Sequence, residues 1–341
     1  MIKQQSLVNT IHLAVTFTIA VGVLYLYTWP YAFFFPLLCL HIRYNELTEL
    51  SVKQYASLFL VALGGIALGL AISTLYSTST LLFVLATALV LFLLYWWERY
   101  SHNQLHTAIG VLSFALVCAV TFANHSIVAD FSYYLVANLL FAMSLCFALD
   151  KAFSYVTRRL TPNDEANTTN TQVSSTPQLF SNEWQAIAIF LPAAFSFILF
   201  DLSHYYVVLV AICVLTLTPD LAIIRQDSLR YVYANLIGGG LAVLGYYSYA
   251  LISLKFGPSV AIELCLTFMF TLILGVIIYC SNWKPLGKFM LSPYAILLIQ
   301  SDNVGFSILD SFQLRVVSVG IAVVYLYGVI HLITSTRVSI K

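Results

Sequence analysis

The sequence predicts an all-α polytopic membrane protein of about twelve transmembrane helices, arranged as two parallel six-helix repeats. Three observations predict it. Apolar residues make up 61% of the 341 residues and charged residues only 9%, against about 25% charged in a soluble domain. Long apolar runs recur along the whole chain, and mean hydropathy is +0.91. The few basic residues fall almost entirely on one side of the membrane once the runs are read as spans. A soluble enzyme and a disordered chain are excluded by composition. The net charge of +1 gives no electrostatic footprint for nucleic acid.

The runs lie at about 11–42, 55–75, 79–97, 104–124 and 131–150, then at about 185–218, 229–253, 258–280, 286–300 and 312–333. A span needs about 20 residues, so 11–42 and 185–218 are long for one helix and short for two. Each has a break near its middle. The first has Thr28-Trp29-Pro30, where proline removes a backbone donor and clashes with the preceding turn. The second has Asp201-Leu202-Ser203-His204. If both are hairpins, twelve spans result, both termini are cytoplasmic, and 13 of the 15 Lys and Arg lie inside. Only Lys255 and Arg315 lie outside. If each run is one tilted helix, the split falls to 7 against 8. The positive-inside rule selects twelve spans. The apolar stretch after MIKQQ continues past Tyr27 with no small-x-small cleavage site, so it reads as a retained first span rather than a signal peptide.

The polar stretch from Thr161 to Glu183 is rich in Asn, Thr, Ser and Pro and reads as a flexible cytoplasmic linker. The predicted organisation is a first repeat at 1–156, a linker at 157–184 and a second repeat at 185–341. LVALGGIALGLAIS (60–73) aligns with NLIGGGLAVLGYYS (235–248) through Gly64-Gly65 and Gly239-Gly240. Each half has an even number of spans, so the halves share one topology. A two-fold axis along the membrane normal would relate them, as in transporters with parallel repeats.

The segment LTPDLAIIRQDSLRYVYANLIGGGLAVLGYY, with Pro219, Arg230, Gly239, Gly240 and Gly245, resembles the signature of the fusaric-acid-resistance and aromatic-acid-exporter superfamily. SFQLRVVSVGIAVVYLYG, with Arg315 and Gly320, resembles that family's sixth span. The first half is the looser copy. It keeps Pro36, Arg43, Gly64, Gly65 and Gly69, but has Leu135 near where the second half has Arg315. Longer family members add a large cytoplasmic domain after six spans, where this chain has only the linker. The resemblance implies an inner-membrane exporter of small, aromatic organic acids. It also implies work as the membrane component of an efflux system, with a periplasmic membrane-fusion adaptor.

Corresponding interrupted spans in two halves point to a transporter's substrate site. The candidates there are Trp29, Pro30, Ser203, His204 and Tyr205, together with Arg315, about one turn inside the last span. A guanidinium at that depth suits bidentate pairing with a carboxylate; the competing reading pairs it with Asp310. Glu263 and Asp201 are the ion-coupling candidates, because an ionisable group inside a span is costly. Neutralising Lys255 is the competing role for Glu263. Pro219, Asp220, Arg225 and Arg230 form an inner-loop motif, with Asp220 capping a helix or pairing with Arg225 or Arg230. Gly64, Gly65, Gly69, Gly239, Gly240 and Gly245 read as helix-packing positions, which would bring the two third spans together near the pseudo-two-fold axis. His12 and His331 read as interfacial. Tyr and Trp clusters at span ends read as interfacial belts.

Six cysteines in apolar runs, with no CxxC and no ligand spacing, predict neither a metal nor disulfides. No Walker, HExxH or GxSxG motif is present, so no enzyme activity and no cofactor are expected. The expected partners are the lipid bilayer and a small organic anion, with a homodimer left open. A passive anion channel and a non-transporting scaffold subunit fit the same composition.

Overall fold

The fold, taken from a computed structural model, is described for residues 2–27, 29–45, 51–101, 104–160, 181–199, 206–216, 221–280, 284–300 and 307–339. Among the described residues it is helical throughout, with no strand. The helices are α1 (Ile2–Leu26), α2 (Phe34–Asn45), α3 (Val52–Thr78), α4 (Thr80–Ser101), α5 (Gln104–Ala123) and α6 (Val128–Leu160), then α7 (Ser181–Leu199), α8 (Tyr206–Leu215), α9 (Leu221–Phe256), α10 (Val260–Cys280), α11 (Lys284–Gln300) and α12 (Ile308–Ser339). A 3-10 turn, His125–Ile127, precedes α6.

Local chemistry sets the boundaries. Ser51 and Gln54 form a reciprocal capping box that starts α3, which satisfies two otherwise unpaired donors at the helix end. Asn124 accepts from the Ser126 amide and caps the turn before α6. The break at Trp29-Pro30 ends α1 as expected, but α1 begins at Ile2 and runs for 25 residues. The hairpin is thus asymmetric, because α2 has only 12 residues. The basic stretch before the third span of the second half is helix rather than loop. Arg225 and Arg230 lie in the first turns of the 36-residue α9. Helix also enters both ends of the linker, since α6 continues to Leu160 and α7 starts at Ser181.

Seven described helical stretches are long and apolar enough to cross a membrane, those in α1, α3, α4, α6, α9, α10 and α12. Shorter apolar helices lie at Phe34–Arg43, Ile109–Ala123, Trp184–Phe197 and Phe289–Ile299. Large apolar side chains cover the outside, including Leu85, Leu89 and Leu93 of α4 and Leu314, Val317, Ile321 and Val324 of α12. An aqueous protein seldom exposes so continuous an apolar surface, whereas a bilayer requires it. The chain is a multi-pass membrane protein.

Helix pairing has a regular pattern. α3 packs along α5 and α9 along α11; α2 packs on α6 and α8 on α12; α3 meets α6 and α9 meets α12. Between the two sets, α1 packs on α10 and α4 on α7, while α5 meets α8 and α11 meets α2. Each of these pairings recurs when both helices are advanced by six around the twelve.

Glycines permit the closest approaches. A Cβ added to Gly65 would lie 2.5 Å from the Gly110 carbonyl oxygen of α5, and one on Gly69 would lie 2.8 Å from Val117. In α9, a Cβ on Gly238 would strike the Met290 carbonyl of α11, and one on Gly239 would meet Phe312 of α12. The glycine faces therefore bind each third helix to the fifth helix of its own half, not to the other third helix. A Cβ on Gly64 or Gly240 would meet nothing within 4 Å, and one on Gly245 would make ordinary contact with Phe270. Contact thus pairs Gly65 with Gly238, two residues from the sequence alignment.

Candidate functional site

The α1–α2 turn is fastened from the side by α6. Trp29 Nε1 donates to Asn138 Oδ1 at 3.0 Å, and Asn138 Nδ2 donates to the carbonyl oxygens of Tyr31 at 3.2 Å and Tyr134 at 2.8 Å. Asn138 is fully buried. Tyr31 holds the left-handed conformation, φ 58°, which is unusual for a bulky residue. Its carbonyl is held by Asn138, and its ring packs edge-on to Phe131. Asn138 lies ten residues into α6, so the turn ends about 15 Å along α6 from its first residue. Trp29 packs against Phe35 and Phe141, and Pro30 is exposed. Asp201, Ser203, His204 and Tyr205, with Pro219 and Asp220, lie outside the described residues.

Arg315 projects from the second turn of α12 toward α9 and α11. Its Nε donates to Asn235 Oδ1 at 3.1 Å and its Nη2 to Ser292 Oγ at 3.0 Å. Asn235, 1% exposed, is fixed in turn by donating to the Tyr231 carbonyl. Two neutral groups on two helices therefore orient the guanidinium. Asp310 is held by Ser307, whose hydroxyl donates to it at 2.6 Å.

Glu263 accepts a hydrogen bond from the Tyr25 hydroxyl of α1. Lys255, the partner considered from sequence, lies over the ring of its neighbour Phe256 instead. Glu263 also lines a shallow open cleft with Gly245, Tyr246, Tyr249, Thr267 and Leu298. At the start of α9, Arg230 Nη1 pairs with Asp227 at 3.0 Å, and the Arg225 guanidinium lies over Tyr327.

Sequence reading missed one constellation. Asp150 of α6, 4% exposed, accepts from Arg43 Nη1 at 2.6 Å and from the Tyr55 hydroxyl at 2.8 Å. His12 Nε2 lies 3.6 Å from the same carboxylate, and its ring stacks on Phe153 at 3.9 Å. His12 is buried against protein, while His331 is exposed. The cluster ties four helices of the first half together. Its sequence signal was slight, a carboxylate at the end of the apolar run 131–150. Among the described residues, no group of His, Cys, Asp and Glu is arranged to hold a metal ion.

No protein-family model, curated protein or solved structure matches the chain.

Proposed function

We propose that the chain is a twelve-span inner-membrane carrier that exports small aromatic organic acids. In this reading residues 1–156 and 185–341 are parallel repeats, both termini are cytoplasmic, and a periplasmic membrane-fusion adaptor completes the efflux path. The observation that carries it is Arg315. An ionisable group inside a span marks a functional site by default. This one is aimed into the bundle by Asn235 and Ser292, in the planar geometry that suits a carboxylate. Two further features support the reading. The helix pairings repeat on advancing by six, as expected of repeats that rock about a shared site. The recessed Trp29–Tyr31 turn gives the non-helical backbone that a membrane tolerates where it lines a cavity or is buried in protein.

Purified protein in proteoliposomes tests the proposal with benzoate as probe. Arg315→Ala is expected to abolish benzoate transport. Arg315→Lys should restore it only in part, because a point charge replaces a fork. Normal transport by the alanine variant would remove Arg315 from the mechanism and the anion reading with it.

A further inference from the structure

α1 and α10 form a contact between the first six helices and the last six, and they run antiparallel. Gly22 faces Leu264 at one end, where an added Cβ would sit 3.6 Å from the leucine. At the other end a Cβ on Gly275 would sit 2.9 Å from Thr10. This seam is close-packed and largely apolar. Beside the Gly22 end it carries a titratable polar link, the Tyr25 hydroxyl donating to Glu263.

We infer that Glu263 is a proton-binding site and that the Tyr25–Glu263 hydrogen bond is a latch between the two halves, closed when Glu263 is ionised and loosened when it is protonated. The inference rests on the carrier reading and supplies its coupling ion.

The groups around Glu263 fit this role. From α1 comes Tyr25, a neutral donor. From α9 come Tyr246 and Tyr249, which line the same cleft, while Lys255 is directed onto Phe256. From α11 the cleft receives Leu298, and the deeper Tyr294 is engaged with Thr271. The carboxylate is half-buried rather than sealed in the core.

Protonation adds one proton to a Glu263 oxygen, and the phenol of Tyr25 keeps its own. The bond then changes from charge-assisted to neutral, which roughly halves its strength. A difference of that size shifts a two-state equilibrium about fivefold. The halves are joined elsewhere by packing, so the change biases their arrangement without dissociating them.

The test uses the full chain in nanodiscs, with pyrene on Leu26→Cys and Val260→Cys. These flank the latch and are 76% and 47% exposed. The exposed Cys265 and Cys280 are replaced by serine. Excimer emission should fall as the pH is lowered through the Glu263 titration, with the separated population gaining about fivefold. Glu263→Gln should show the low emission at every pH, and Tyr25→Phe should lose the pH response. An unresponsive wild type, or a Glu263→Gln protein that responds like it, would overturn the proton site. A Tyr25→Phe protein that still responds would overturn the latch. The readout contains no substrate. Failure of benzoate transport would therefore count against the exporter reading alone.

Discussion

Asp150 receives Arg43 and Tyr55 from two other helices in an almost water-free setting. Removing one partner of a buried ion pair leaves an uncompensated charge. Asp150→Asn is therefore expected to destabilise the protein by about 3–5 kcal/mol, read as a lowered unfolding midpoint in detergent. Tyr55→Phe removes one hydrogen bond and should cost about 1–2 kcal/mol. Sequence flagged Arg43 only through its resemblance to Arg230, because a lone carboxylate at a helix end looks like a solvated charge. Packing made it a buried hub. Arg315 is the opposite case. Its depth was legible in the apolar run around it, whereas its partners Asn235 and Ser292, 80 and 23 positions away, were not.

At the scale of the helix, the glycine runs look alike in sequence but differ in contact. Gly65 abuts backbone, and Gly64 on the next helical position faces open space. Gly65→Ala should force α3 from α5 and cost about 1–3 kcal/mol. Gly64→Ala should be neutral or stabilise by up to about 1 kcal/mol, the helix-propensity gain. Thermal unfolding of the two single variants separates them. The turn between α1 and α2 shows the same division. Proline announces the break, and Asn138 decides where along α6 that break is held.

The whole molecule is held by contacts that cross between its halves, α1 on α10 and α4 on α7. A polar link between the halves also joins Tyr95 of α4 to Thr216, just after α8, at 3.1 Å. Since these seams join helices on either side of 161–180, two polypeptides split within that stretch are expected to assemble. Co-expression with a tag on one half should recover the other in the membrane extract. Recovery of the tagged half alone would show that the connection is required.

Composition and run length by themselves determined that this is a multi-pass helical membrane protein and where most of the described helices lie. These follow from the cost of exposing backbone and charge to lipid, a cost counted residue by residue along the chain. Which helix meets which was decided only by tertiary structure. So were the pairing of Glu263 with Tyr25 rather than Lys255 and the burial of His12 beside Asp150. Lipid tails do not favour one apolar face over another, so partners are chosen by close fit at small residues and by hydrogen bonds that form only after the helices have come together.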